Sequence, residues 1–313
     1  MPLFGNYEKA GSGIAKNAPP KKPFFRFWEI LGRKFWKLME LNMMMCLTLI
    51  PLVLAALSIF YLAEKHTTLS LIIAAVMVVI FAVIFGPSMA AAAKILRYFT
   101  LEKPCFLFDM FIKTFKSSFK MACPLGLIDL LVATSVASGF YVYPRLIGAM
   151  EANGEEGTGF YYVLFVLTIS IAIVITLMSF YGYLMIVSTE LNFKQILKDS
   201  LALSIMALKT NVITLVLSAV IMGVFIGLTL YFPFIMLFVW FFMPTAYVGF
   251  LIVFNCYPVI QKTIFDPYYS QLGELSPEME FSETSGENVF EDQGGKEAPI
   301  EPKKKGKNGK IVS

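Results

Sequence analysis

Charge is scarce in this chain. Asp, Glu, Lys and Arg together make up 15% of its 313 residues, against about 25% in an ordinary soluble domain. Histidine occurs once, as His66, and the four cysteines include no CxxC pair. HExxH, GxSxG and phosphate-loop patterns are missing. The low charge excludes a soluble globular enzyme, a disordered chain and a coiled coil. The shortage of His and Cys leaves no spacing that predicts a metal site, and no cofactor is expected. Cys46, Cys123 and Cys256 lie in apolar runs and Cys105 in a basic loop, so structural disulfides are not expected. Apolar residues, by contrast, reach 57%, with a mean hydropathy of +0.70.

These apolar residues collect in runs long enough to cross a hydrocarbon core of about 30 Å. The runs predict six transmembrane helices at Leu41–Leu62, Leu69–Ala93, Met121–Tyr143, Gly159–Ser188, Asn211–Phe232 and Pro233–Ile260. They are continuously apolar, whereas barrel strands would be ~10 residues of alternating polarity, so the expected fold is an all-α bundle. The last two spans share one uncharged run and are divided at Phe232-Pro233, because proline disfavours helical geometry in the residue before it. Pro244 is a second candidate break.

Basic residues set the expected orientation. Before Leu41 there are eight Lys/Arg, between Lys94 and Lys120 six, between Glu190 and Thr210 three, and after Ile260 seven. The two remaining loops carry only Lys65 and Arg145. The positive-inside rule puts the rich side in the cytoplasm. Both termini are then cytoplasmic, as six spans require. No cleavable signal peptide is expected, since the first apolar run begins 40 residues in. Residues 1–22 and 271–313 have the composition of disordered cytoplasmic ends, leaving 23–270 as the membrane domain.

Three of the basic segments are amphipathic and lead into spans. In the first, Arg26, Glu29, Arg33, Lys37 and Glu40 oppose Phe24, Trp28, Leu31, Phe35 and Leu38. In the second, Asp109 and the basic stripe Lys113, Lys116 and Lys120 oppose Phe108, Phe111, Ile112, Phe115 and Phe119. Lys194 and Lys198 mark a weaker third. Helices of this kind suit the headgroup plane of a lipid bilayer. They also suit packing against the inner ends of the spans. The basic residues are too thinly spread for nucleic acid. The recurring order of amphipathic helix and span also fits a repeat of two-span units.

Asp129 is the one formal charge deep in a span. A carboxylate at membrane depth costs roughly 2.5–3.5 kcal/mol on insertion scales, so it is either a solute or ion contact or an anchor reaching water or Lys120. Gly86-Pro87 is expected to interrupt the second span, as a packing kink or a coordination site. Asn255, near the end of the last span, is expected to bond between helices.

Several stretches resemble the YesL family of bacterial membrane proteins. They are Leu41-Asn42 through Leu49-Ile50-Pro51, Gly86-Pro87-Ser88-Met89-Ala90 and Leu96-Arg97-Tyr98-Phe99. The strongest is Phe106–Lys120 (FLFDMFIKTFKSSFK) followed by Gly126-Leu127-Ile128; Leu191–Leu203 and Asp266-Pro267-Tyr268-Tyr269 are also similar. The resemblance implies a multispan protein of the cell membrane whose genes often lie near carbohydrate-uptake and polysaccharide-degradation systems. It carries over no catalytic or binding residues. The chain differs from short members by an added hairpin between Pro51 and Gly86 and by its long tail.

Two functions follow as expectations. The first is a non-enzymatic accessory protein linked to carbohydrate uptake or sensing, with another membrane protein such as a carbohydrate transporter as partner. The second is a small secondary transporter using Asp129. An intramembrane enzyme ranks third, because no nucleophile–base or metal set is recognised in the spans.

Overall fold

The computed structural model describes residues 22–62, 64–154 and 157–273. The expected disorder of residues 1–21 and 274–313 lies outside the described residues. Within them every regular element is a helix, with no strand.

The first expected span is a bent pair. Helix α1 (Pro23–Leu47) and helix α2 (Ile50–Leu62) meet at 46°. Helix α3 (Thr67–Thr100), α4 (Leu107–Ala152), α5 (Thr158–Ser188) and α7 (Leu208–Tyr231) are each long and apolar enough to cross a membrane, as is the stretch beginning at Pro244. The described residues therefore hold five such helices, or six with the bent pair. The protein is a multi-pass membrane protein. Short helix α6 (Phe193–Met206) precedes α7 and packs on α5; its start is fixed by the Asn192 N–H donating to Gln195 Oε1 at 3.0 Å. Helix α10 (Asp266–Leu272) lies in a separate unit that begins at Ile264.

Several boundaries differ from the sequence reading. The sixth expected span, Pro233–Ile260, is two helices, α8 (Pro233–Phe242) and α9 (Pro244–Ile260). Pro233 and Pro244 each occupy the first turn of a new helix, where a missing N–H costs nothing. At 10 residues α8 is too short to span. The expected break at Gly86-Pro87 is corrected: α3 runs as helix from Thr67 through Pro87 to Thr100. The reason is packing. An ideal Cβ on Gly86 would lie 2.0 Å from the Ala122 carbonyl oxygen of α4, so the two backbones touch there and the contact holds the helix together around the proline. Helices α3 and α4 form the most extensive pair in the bundle. Pro124 and Pro144 likewise sit inside α4.

The amphipathic segments are also continuous with their spans. Helix α4 has 46 residues, about 69 Å of helix, and contains both the Phe/Lys segment and the third span. Only α6 is separated from its span, by Ala207. The buried line of α4 begins Leu107, Phe111, Thr114, Ser118, Ala122. Lys113, Lys116 and Lys120 are exposed, and so are Phe108 and Ile112 from the predicted apolar face. On α1 the buried line is Ile30, Leu38, Leu41, Asn42 and Met45, whereas Trp28 and Trp36 point outward. Near the end of α3, Glu102 bonds Arg33 and lies 3.6 Å from Arg26, linking α1 to the α3–α4 loop.

Candidate functional site: an intramembrane cavity holding a carboxylate

The break between α8 and α9 strands backbone groups, and Asn42 of α1 satisfies them. Its Nδ2 donates to the carbonyls of Trp240 and Phe241, both at 2.9 Å, and its Oδ1 accepts from the Ala246 N–H at 2.9 Å. Asn42 is fully buried. An unpaired backbone group inside a membrane costs several kcal/mol, so this one side chain makes the discontinuity tolerable. Tyr247 adds a second tie, donating to the Phe35 carbonyl at 3.1 Å. Trp240 Nε1 donates to Thr229 Oγ1 at 2.9 Å, fastening α8 to α7.

A cavity of about 700 Å³ lies between α3, α4, α5, α7 and α9, with Met45 of α1 also in its lining. Phe85, Met89 and Leu96 line it from α3, Ala133 and Phe140 from α4, and Ile169, Ile173 and Phe180 from α5. Leu215 of α7 and Gly249 and Val253 of α9 close another side. The lining carries one formal charge, Asp129, and no Lys, Arg or His.

Asp129 is held from α5. Ser179 donates to Oδ1, and Tyr183 donates to Oδ2 at 2.6 Å. Ser179 and Tyr183 are four residues apart and so share one face of α5. The Ser179 hydroxyl also lies 3.0 Å from the Ile175 carbonyl, which gives its single proton an alternative acceptor. Of the anchor alternative, in which Asp129 reaches water or Lys120, the Lys120 contact is not made: Asp129 bonds to α5, and Lys120 is exposed about 13 Å earlier along α4. A carboxylate has about four acceptor positions, and the two hydroxyls use two of them. Neither brings a compensating charge.

The other predicted residues lie elsewhere. Asn255 donates to Thr214 Oγ1 at 3.0 Å, joining α9 to α7 outside the cavity lining. Gly86, at the α3–α4 contact, and Pro87 are both buried. The lysine stripe is on the surface, where Lys113 pairs with Asp109 at 2.8 Å. Among the described residues no three His, Cys, Asp or Glu side chains converge as metal ligands.

Sequence reading missed Ser179, Tyr183, Asn42 and Asn211. Asn211 accepts from the Tyr181 hydroxyl and donates to the Ser204 carbonyl at 2.9 Å, tying α5, α6 and α7 together. A Tyr four residues after a Ser, and so on the same helical face, was the available signal for the first two.

Scans against protein-family models, curated proteins and solved structures each return no match.

Proposed function

We propose that this multi-pass membrane protein is a small secondary transporter of the cell membrane, with Asp129 as the polar contact for its solute. The observation that carries the reading is the carboxylate opening on a 700 Å³ cavity lined by six helices. Intramembrane ionisable residues are rare and costly, and those that face a cavity mark solute pathways. The discontinuous α8–α9 segment supports the same reading: Thr245, beside the break, lines the cavity, and broken helices at membrane depth are tolerated where they are buried or line a cavity.

The orientation proposed with it has both termini in the cytoplasm, from the distribution of Lys and Arg. The Asp129 end of the cavity is then nearer the cytoplasm, and Lys113, Lys116 and Lys120 face anionic headgroups. The chemistry proposed is non-enzymatic.

A second reading keeps the resemblance to the YesL family: an accessory protein that works with a carbohydrate-uptake system. The similar segments Phe106–Lys120 and Gly86–Ala90 support it. On this reading the carbohydrate contact belongs to the partner, because the cavity offers too few polar groups to replace the hydration of a sugar.

The test is flux. Purified protein in vesicles should carry a solute down its gradient, and Asp129→Asn should abolish that flux while leaving insertion intact. Stable co-purification with a partner, and no flux of any solute class by the protein alone, would replace the transporter with the accessory reading.

A further inference from the structure

We infer that the cavity takes an organic cation with an apolar body, its positive head at Asp129. This rests on the reading that the cavity binds a solute, and it adds the solute's chemical class.

Three features carry it. The first is unbalanced charge. Ser179 and Tyr183 hydrogen-bond the carboxylate, but no cationic side chain lines the cavity. A cationic ligand supplies the missing counter-charge where solvent screening is weak. The second is aromatic surface. Phe85, Phe140, Phe180 and Tyr183 line the same space, and aromatic faces attract cations through their quadrupoles, more strongly when desolvated. The third is polarity along the cavity. Asp129 and Phe140 both line it from α4, about 16 Å apart at 1.5 Å per residue. A ligand with a charged head and an apolar body matches that gradient.

The alternatives fit less well. An anion would meet the Asp129 charge, and the Ala246 N–H at the start of α9 is already spent on Asn42. A polyhydroxylated solute would lose its hydration against a wall that is mostly Leu, Ile, Val, Ala, Phe and Met. A bare metal ion would lack the oxygen ligands it needs.

The experiment uses the full chain in nanodiscs of zwitterionic lipid, with empty nanodiscs subtracted. Three probes are compared: tetraphenylphosphonium, its size-matched anion tetraphenylborate, and neutral triphenylphosphine oxide. The expected result is saturable binding of tetraphenylphosphonium, with tetraphenylborate bound at least about tenfold more weakly. Asp129→Asn should weaken the cation about tenfold and leave the neutral probe unchanged. Ala133→Phe, one turn along α4 from Asp129, fills the cavity and should weaken both the cation and the neutral probe. Equal binding of cation and anion by the wild-type chain would overturn the assignment, with no variant needed. Cation binding indifferent to both substitutions would overturn it too. The underlying reading fails separately. Charge-selective binding without flux in vesicles removes transport and keeps the cation site. Asp129-dependent flux of a neutral or anionic solute, without charge-selective binding, removes the cation and keeps transport.

Discussion

Gly86 of α3 and Gly126 of α4 meet backbone to backbone: an ideal Cβ on Gly126 would stand 2.4 Å from Gly86 Cα and 2.5 Å from its nitrogen. No side chain can yield at this point, because the atoms in the way are main chain. Gly86→Ala or Gly126→Ala should therefore separate the most extensive helix pair of the bundle. The expected cost is about 3 kcal/mol, at the upper end for overpacking, read as a lower melting temperature in detergent. Gly148→Ala, with open space around its Cβ position, is the control and should melt like wild type. A Gly86→Ala protein with unchanged melting would mean that α3 and α4 do not cross here.

Stability and function should diverge at Asp129. Asn keeps an acceptor for the Tyr183 hydroxyl and removes the charge. Asp129→Asn should thus stabilise the protein by ~1 kcal/mol, a fraction of the insertion cost of a carboxylate because the cavity leaves it partly accessible. Asp129→Leu leaves the Tyr183 hydroxyl, itself buried, without its acceptor, whereas Ser179 can fall back on the Ile175 carbonyl. The Leu variant should melt below the Asn variant by about 1–3 kcal/mol. Melting of both variants below wild type would point to a counter-charge that already holds the carboxylate.

Asn42 should be among the most sensitive polar residues in the bundle. Asn42→Ala strands the Trp240 and Phe241 carbonyls and the Ala246 N–H together. The expected loss is about 3 kcal/mol. Asn42→Asp should not restore it, because it keeps the acceptor for Ala246 but turns an oxygen towards two carbonyls. Wild-type denaturation midpoints for both variants would show that the α8–α9 break is satisfied in another way.

The pH dependence of alkylation at Cys105 gives a test outside the spans. Burial raises this thiol above the ordinary cysteine range, opposed by the nearby charges of Lys37 and Lys34. A raised value means less thiolate at a given pH. In a variant with the other cysteines changed to Ala, the midpoint of iodoacetamide labelling against pH should lie above that of a free cysteine. Lys37→Ala with Lys34→Ala should move it higher still. A midpoint that does not move on their removal would mean that the lysines do not face the thiol.

Much of the fold was legible because hydrophobic thickness is a length constraint: each long apolar run in the sequence became helix. Helix ends were harder to read, because they depend on partners distant in the chain. Pro87 looked like a break and is not one, since the backbone contact at Gly86 lies on a different helix. Pro244 does begin a new helix, and the residue that makes this tolerable, Asn42, is about two hundred positions away. Asp129 stood out as a lone charge. Its partners Ser179 and Tyr183 did not, because hydroxyls are common in membrane helices and usually bond back to their own turn, as Thr176 does to the Ala172 carbonyl. The basic stripe was visible as periodicity, but which side of the helix is buried was decided by the neighbours of α4.

The glycine crossing bears on how a ligand could enter. Two main chains in direct contact act as a fulcrum: the helices can scissor about the point but cannot draw closer. Gly126 lies one turn before Asp129 on the same helix, so the charged end of the cavity sits beside this fixed point. Movement of the walls is then expected away from this point, where α9 begins at an interrupted helix and Thr245 and Gly249 face the space. Amide hydrogen exchange should follow this division, slowest around Gly86 and Gly126 and faster at the α8–α9 break, apart from the Ala246 N–H that Asn42 holds.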